Sequence, residues 1–244
     1  MSVCALVIHL RRAAARRPQV DKLLQTLPFA PAVLDAVDAE SLTDAEIARV
    51  YRPGLHRPHY PFALRRTEVA CFLSHRAAWR RIVEEGHEAG LIVEDDVAFE
   101  PSQLGPMLDF AHAGLQPGDY LRLPYRSRGE RGRVLASRAG MTLAEPAVVG
   151  LGMQMQLVTR LAAERALGAT EMFDRPVDTT LQMRWLTGVR MLTLRPVVIR
   201  EIGGVLGGTT VQKKKKPLGE AVLREVKRAS YRMSLRLASL AARP

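Results

Sequence analysis

Three consecutive carboxylates, Glu94, Asp95 and Asp96, close the apolar run Leu91-Ile92-Val93. Three neighbouring anions repel one another, so a metal ion, a basic side chain or bulk water must relieve them. Hard oxygen ligands of this kind suit Mg²⁺ or Mn²⁺, which commonly join carboxylates to the phosphates of a substrate. If the apolar run is a strand, its side chains alternate. Glu94 and Asp96 then project together as the metal-ligand pair, and Asp95 has a separate task. The competing reading of the cluster is a solvated loop or a set of helix caps.

Other residues could serve the same chemistry. Glu68 and His75 are seven apart, two helical turns, and share a face. A neutral His75 could hydrogen-bond a ligand or the acid cluster; the commoner fate of such a histidine is a satisfied core residue. Asp178 stands before a helical pattern, as general base or as N-cap. Arg11, Arg12, Arg16 and Arg17 follow the first apolar run, where they meet phosphates or form an exposed helix face.

The elements that must position these residues alternate between strand and helix. Val3–Ile8 is an apolar strand, and residues 16–24 follow with helical spacing. Pro28–Val37 reads as a second strand. Thr43 opens a short helix with acids in its first turn. Tyr51–Phe62, with Pro53, Gly54, Pro58 and Pro61, is a loop. Thr67 is the N-cap candidate of a helix that runs to Gly86, with Ala70, Cys71, Ser74, Ala78 and Ile82 at helical spacing. After the acid-tipped strand come a helix at Pro101–Ala113, a strand at Asp119–Leu123 and a polar loop from Arg126 to Gly140. An apolar stretch follows at Val148–Val158, then helices at Thr159–Leu167 and Asp178–Leu186 and a strand at Met191–Ile199. Gly203, Gly204, Gly207 and Gly208 lead into the tail, as a lid or a linker. This order predicts an α/β fold with a Rossmann-type, mostly parallel sheet flanked by helices. Ligands of such sheets sit beyond the carboxyl ends of the strands, where the acids lie.

Composition narrows the function. The chain of 244 residues carries a net charge of +11. Ten Lys and Arg against two Glu give residues 212–244 a charge of +8, leaving +3 for residues 1–211. The body is thus near neutral, and with only 5% aromatic residues it has few rings for stacking on bases, so no nucleic-acid partner is expected. Cys4 and Cys71 lie in apolar surroundings and read as reduced core thiols of a cytoplasmic protein. The start of the chain lacks a signal-peptide pattern, and no run reaches the length of about 18 apolar residues needed to span a membrane.

The stretch Thr67-Glu68-Val69-Ala70-Cys71-Phe72-Leu73-Ser74-His75, then Trp79, then Leu91–Val97, resembles the signature of glycosyltransferase family 25. That family includes lipooligosaccharide galactosyltransferases and collagen galactosyltransferases. Pro53-Gly54, His59-Tyr60, Val7–Arg12 with Arg16-Arg17, and Arg175-Pro176-Val177-Asp178 are similar to further family elements, and His9 stands where Asn or Ser is usual. Val149–Gly152 and Leu157–Arg160 match without the usual aromatic. Glu201-Ile202-Gly203 and Thr209-Thr210 match the closing elements poorly. The resemblance implies a GT-A-like, metal-assisted, inverting hexosyltransferase at residues 1–211, using a UDP-sugar, galactose or glucose, and a lipopolysaccharide-type glycan or glycolipid acceptor. In that context Glu94 and Asp96 take Mn²⁺ or Mg²⁺. Asp178 is the base, with Asp96 or Glu94 as the alternatives. Glu68, His75, Arg11 and Asp95 contact the donor, Asp95 at its ribose or else at a helix N-terminus.

Two other readings use the same residues: a metal-dependent nuclease or phosphotransferase, and a non-catalytic membrane-surface protein on a degenerate transferase domain. In the tail, Leu218, Val222, Val226, Ala229, Met233, Leu237 and Leu240 fall on one helical face, with basic residues across the other. A basic amphipathic helix preceded by Lys213–Lys216 suits an anionic membrane surface, here the cytoplasmic face of an inner membrane. The alternative is a solvated or body-packed terminal helix.

Overall fold

The computed structural model of the chain describes residues 2–126, 130–206 and 218–241. Its strands are β1 (Val3–His9), β2 (Pro31–Asp35), β3 (Ala89–Glu94), β4 (Val97–Phe99), β5 (Asp119–Leu123), β6 (Gly132–Arg138), β7 (Met141–Pro146), β8 (Met155–Thr159), β9 (Arg190–Arg195) and β10 (Ile199–Glu201). Eight of them form one sheet, in the order β2-β1-β3-β8-β5-β9-β7-β6. β1 is parallel to β2 and β3, and β5 is parallel to β9. β8 runs antiparallel to both β3 and β5, and β7 runs antiparallel to both β6 and β9. Six of the eight strands therefore point one way, which is the mostly parallel α/β sheet expected.

Helices α1 (Arg17–Thr26), α2 (Asp44–Val50), α3 (Arg66–Glu84), α4 (Pro101–Gly114), α5 (Arg160–Ala169), α6 (Val177–Leu181), α7 (Arg184–Thr187) and α8 (Leu218–Ala241) accompany the sheet. Alternation splits the core between its two faces. Ala5, Val7, Leu91 and Val93 pack with Val20, Leu104 and Leu108 of α1 and α4. Leu6, Ile8 and Ile92 pack with Phe72, Trp79, Ile82 and Ala163 of α3 and α5. Beneath the acids, Trp79 Nε1 donates to Tyr120 Oη at 3.1 Å, and Tyr120 Oη donates to Gln156 Oε1 at 3.1 Å. These three buried polar side chains satisfy one another, which fixes α3 against the sheet.

Several elements differ from their local pattern. The stretch read as a loop at 126–140 contains β6, which returns through Ala139-Gly140 (φ 48° and 78°) to pair with β7. β6 is the outermost strand and mostly exposed, so it carries no hydrophobic alternation to announce it. The strand expected at 191–199 is two strands. β9 ends at Arg195, before Pro196, and β10 turns away to pair with β4; proline cannot donate to a ladder. The helix expected at 178–186 is divided into α6 and α7. α3 begins at Arg66 with Arg65 as N-cap, in place of Thr67, because the Glu68 carboxylate reaches back to the Arg65 N–H at 2.8 Å. Cys71, expected in the core, is exposed.

α8 is docked on the body. Tyr231 and Leu235 are buried against Met183 with Tyr60, Trp185 and Leu186 around them. Leu223, Val226, Met233, Leu237 and Leu240 remain exposed. Thr209-Thr210 and Lys213–Lys216 lie outside the described residues, as do Gly207 and Gly208 and the side chains of Leu218 and Val222. Among the described residues no helix is long and apolar enough to cross a membrane.

Candidate functional site

Parallel pairing of β1 with β3 brings the end of the first strand beside the acids: Ile8 lies opposite Glu94, and His9 follows. β8 enters from the other side, and the Glu94 N–H donates to Gln154 O at 2.8 Å. α3 crosses below with Thr67, Ala70, Cys71, Ser74 and His75 on one face, at i, i+3, i+4, i+7 and i+8. These elements enclose a cleft with about 280 Å³ of free volume that also takes in Arg12, Arg16 and Glu201. It lies at the carboxyl edge of β1 and β3, where α/β sheets bind ligands.

The acids divide their partners. The strand ends at Glu94, and Asp95-Asp96 form a turn, so simple alternation no longer applies to them. Asp95 is buried, with Oδ2 2.8 Å from His9 Nδ1 and Oδ1 2.5 Å from Arg16 Nη1. Arg16 Nη1 also lies 3.5 Å from Asp96 Oδ2. Glu94 Oε1 is 3.1 Å from His75 Nε2. Among the described residues, Asp96 Oδ1 is buried with no hydrogen-bond partner. Burial first, and then the Glu94 charge, push the Asp96 carboxyl up to about 7, against the pull of Arg16.

An unsatisfied, desolvated carboxylate oxygen beside a second carboxylate is a donor set that fits a hard divalent cation. Glu94 and Asp96 are thus able to hold Mn²⁺ or Mg²⁺. Another ligand set exists among the described residues: Cys71 Sγ, a His75 ring nitrogen and a Glu94 oxygen all lie within 4.8 Å of one another. Cys71 presents surface to solvent, but its thiol sits among these groups, where desolvation first and then Glu94 hold it protonated well above its ordinary pKa, and a protonated thiol is a poor ligand.

The other candidate residues are distributed unevenly. His75 is in the cleft. Glu68 caps α3 and pairs with Arg65 at 3.3 Å, outside the cleft wall. Arg11 is exposed and paired with Asp35 on the β2 side; the cleft receives Arg12 and Arg16 in its place. Asp178 sits in the first turn of α6, whose N-cap residue is Pro176. Its Oδ2 accepts the Gly152 N–H at 3.0 Å and its Oδ1 accepts the Thr179 N–H at 2.7 Å. Burial pushes its carboxyl up despite these bonds, and Glu94 adds to the rise.

Residues given no role beforehand complete the site. His9 orients Asp95. The β4–β10 pair carries Glu201 into the cleft, and the Ile202 N–H donates to Asp96 O at 2.8 Å. Gly203 passes so close that a Cβ there would stand 2.9 Å from Asp96 Oδ2. The signals for these positions were the departure of His9 from the family pattern and the poor match of Glu201-Ile202-Gly203 to a family element.

Comparison with known proteins agrees with the motif. A family model described as glycosyltransferase family 25 (LPS biosynthesis protein) matches residues 4–128. The chain is 31% identical to human procollagen galactosyltransferase 2 over 97 residues, 38% of this chain and 16% of that protein. It is 29% identical to the probable inactive glycosyltransferase 25 family member 3 of Bos taurus over 186 residues, 72% of this chain and 30% of that protein. The chain therefore spans less than a third of the length of these relatives. A glycosyltransferase involved in the glycosylation of the major capsid of PBCV-1 is similar at 12% identity with a TM-score of 0.36, covering 67% of this chain and 63% of that one.

Proposed function

The chain belongs to glycosyltransferase family 25, and from its site we infer an inverting hexosyltransferase that moves galactose or glucose from a UDP-sugar to a lipopolysaccharide-type glycan. The observation that carries this reading is the unsatisfied Asp96 oxygen beside Glu94 in a cleft also lined by Arg12 and Arg16. With Mn²⁺ or Mg²⁺ bound at Glu94 and Asp96, the cation supplies neutralisation of the leaving diphosphate. The chain's own residues do the rest. Arg12, paired with Asp38 and Glu40, forms part of the donor end of the cleft. Arg16 and His9 hold Asp95 in place, and Asp95 accepts from the donor ribose. His75 steadies Glu94.

Asp178 is the base. Its carboxylate takes the proton of the acceptor hydroxyl as that oxygen bonds to the anomeric carbon from the face opposite the diphosphate. The carbon–oxygen bond to the diphosphate breaks, and UDP leaves with the electron pair. A carboxylate whose pKa is raised by burial is the stronger base for this step. A nucleic-acid substrate is disfavoured by the near-neutral body, and the family membership favours sugar transfer over phosphotransfer.

For localisation we propose that the exposed apolar stripe of α8, Val226, Met233, Leu237 and Leu240, rests on an anionic membrane, at the cytoplasmic face of the inner membrane. Val226→Glu/Leu237→Glu should abolish flotation with phosphatidylglycerol vesicles; unchanged flotation defeats this attachment.

The test of the transferase reading is Mn²⁺- or Mg²⁺-dependent turnover of UDP-galactose or UDP-glucose. Asp96→Ala should lose it while keeping its melting temperature. Full activity in the folded variant would falsify the reading.

A further inference from the structure

The basic side of α8 faces the body, opposite its exposed apolar stripe. Arg228, Arg232 and Arg236, with Arg131, Tyr60 and Phe62, line a groove with about 490 Å³ of free volume between α8 and residues 147–151. Arg228 is paired with Glu225, and the groove's one acid, Glu130, is taken by Arg122. Among the described residues Arg131, Arg232 and Arg236 have no carboxylate partner. The groove thus presents several uncompensated guanidinium groups beside two aromatic rings. Tyr60 is set edge-on to Phe62 at 5.6 Å, and Arg224 and Arg228 lie 4.6 and 5.6 Å from the Phe62 ring centre.

The groove and the acid cleft flank one segment. Gly150, Leu151 and Thr179 form part of the groove wall. The Gly152 N–H is bonded to Asp178, and Gln154, two residues on, lines the acid cleft. Asp178 lines neither cavity itself but ties this segment down, through the Gly152 N–H and beside Thr179 of the groove wall.

We propose that this groove is the acceptor subsite and that it takes a saccharide carrying carboxylate or phosphate groups. Guanidinium groups bind such anions through paired, charge-assisted hydrogen bonds, and the aromatic edge offers an apolar surface for a sugar ring. The assignment as acceptor subsite rests on the transferase reading. The chemistry of the groove can be tested apart from it.

In calorimetric titrations of the full-length chain, trigalacturonate should bind at least about tenfold more tightly than maltotriose. The preference should shrink as salt is raised and vanish in Arg232→Gln/Arg236→Gln, while UDP binding stays unchanged. Equal affinity for the two trisaccharides overturns the proposal. So does a preference that survives the double substitution. A double variant that loses phosphatidylglycerol vesicles but keeps its trigalacturonate preference also overturns it, and gives the arginines to a lipid surface. Wild-type protein that binds trigalacturonate but no UDP defeats the transferase reading and leaves the anionic-saccharide groove standing.

Discussion

His9 Nδ1 lies 2.8 Å from Asp95 Oδ2, and both side chains are buried at the junction of β1 and β3. His9 departs from the residue usual at this point of the family pattern, yet with Arg16 it is one of the two partners that fix the middle acid. Its removal leaves that oxygen of Asp95 desolvated and unpaired. His9→Ala should therefore destabilise the protein by about 1–3 kcal/mol. His9→Asn, which keeps a donor, should recover part of the loss. Equal melting temperatures for the wild type and His9→Ala would remove His9 from this role.

Asp178 accepts backbone N–H groups from Gly152 and Thr179. Asparagine can still accept one of them but cannot take a proton. Asp178→Asn should lower kcat by about 10²- to 10⁴-fold, with UDP-sugar affinity retained in equilibrium binding. A variant with unchanged kcat would show that Asp178 only ties the 150–152 loop to α6.

Gly203 leaves no room for a side chain beside Asp96. The methyl of Gly203→Ala would stand 2.9 Å from Asp96 Oδ2, so the carboxylate must shift. Small displacements of catalytic groups cost up to about 10²-fold in rate. The variant should need more Mn²⁺ for half-maximal activity while its melting temperature stays close to that of the wild type. An unaltered metal requirement would separate Gly203 from the site.

Asp174 and Arg175 are shut off from solvent as a pair, Nε to Oδ1 at 2.6 Å, and Arg175 Nη1 donates to Tyr231 Oη of α8 at 2.8 Å. Burial pushes the Asp174 carboxyl up, but Arg175 and the His56 backbone N–H outweigh it and hold it below its ordinary value. A depressed acid contributes stability above its unfolded-state pKa, and loses it as pH falls through the folded value. This contribution should be constant near neutrality and be lost at pH below about 4. Asp174→Asn strands the Arg175 charge and should cost about 3–5 kcal/mol at neutral pH. Melting curves across that pH range check both statements; a variant with the same acid limb as the wild type would contradict them.

Much of this site can be read along the chain. The acids after an apolar run, the helical spacing of Thr67 to His75 and the strand–helix alternation are local patterns, set by side-chain periodicity and by the residues that cap or break an element. They placed Glu94, Asp96 and His75 in one cleft at a strand end. The tertiary structure decided which cation meets the acids. Arg16 is buried against Asp95 and Arg11 is not, because the Ala14–Arg16 turn before α1 sets their directions. It also decided that His9 serves Asp95, through the register of β1 on β3, and that Glu201 and Gly203 reach the acids, through the pairing of β10 with β4. The sequence alone determined that α8 has an apolar and a basic face. Which face meets the body was decided by Tyr231, which docks on Arg175 and Tyr60 and so turns the arginines toward the groove. Periodicity is a property of neighbouring residues, whereas these contacts join residues far apart in the chain (His9 to Asp95, Asp96 to Gly203, Tyr60 to Tyr231), and only the packed sheet and its docked helix bring such residues together.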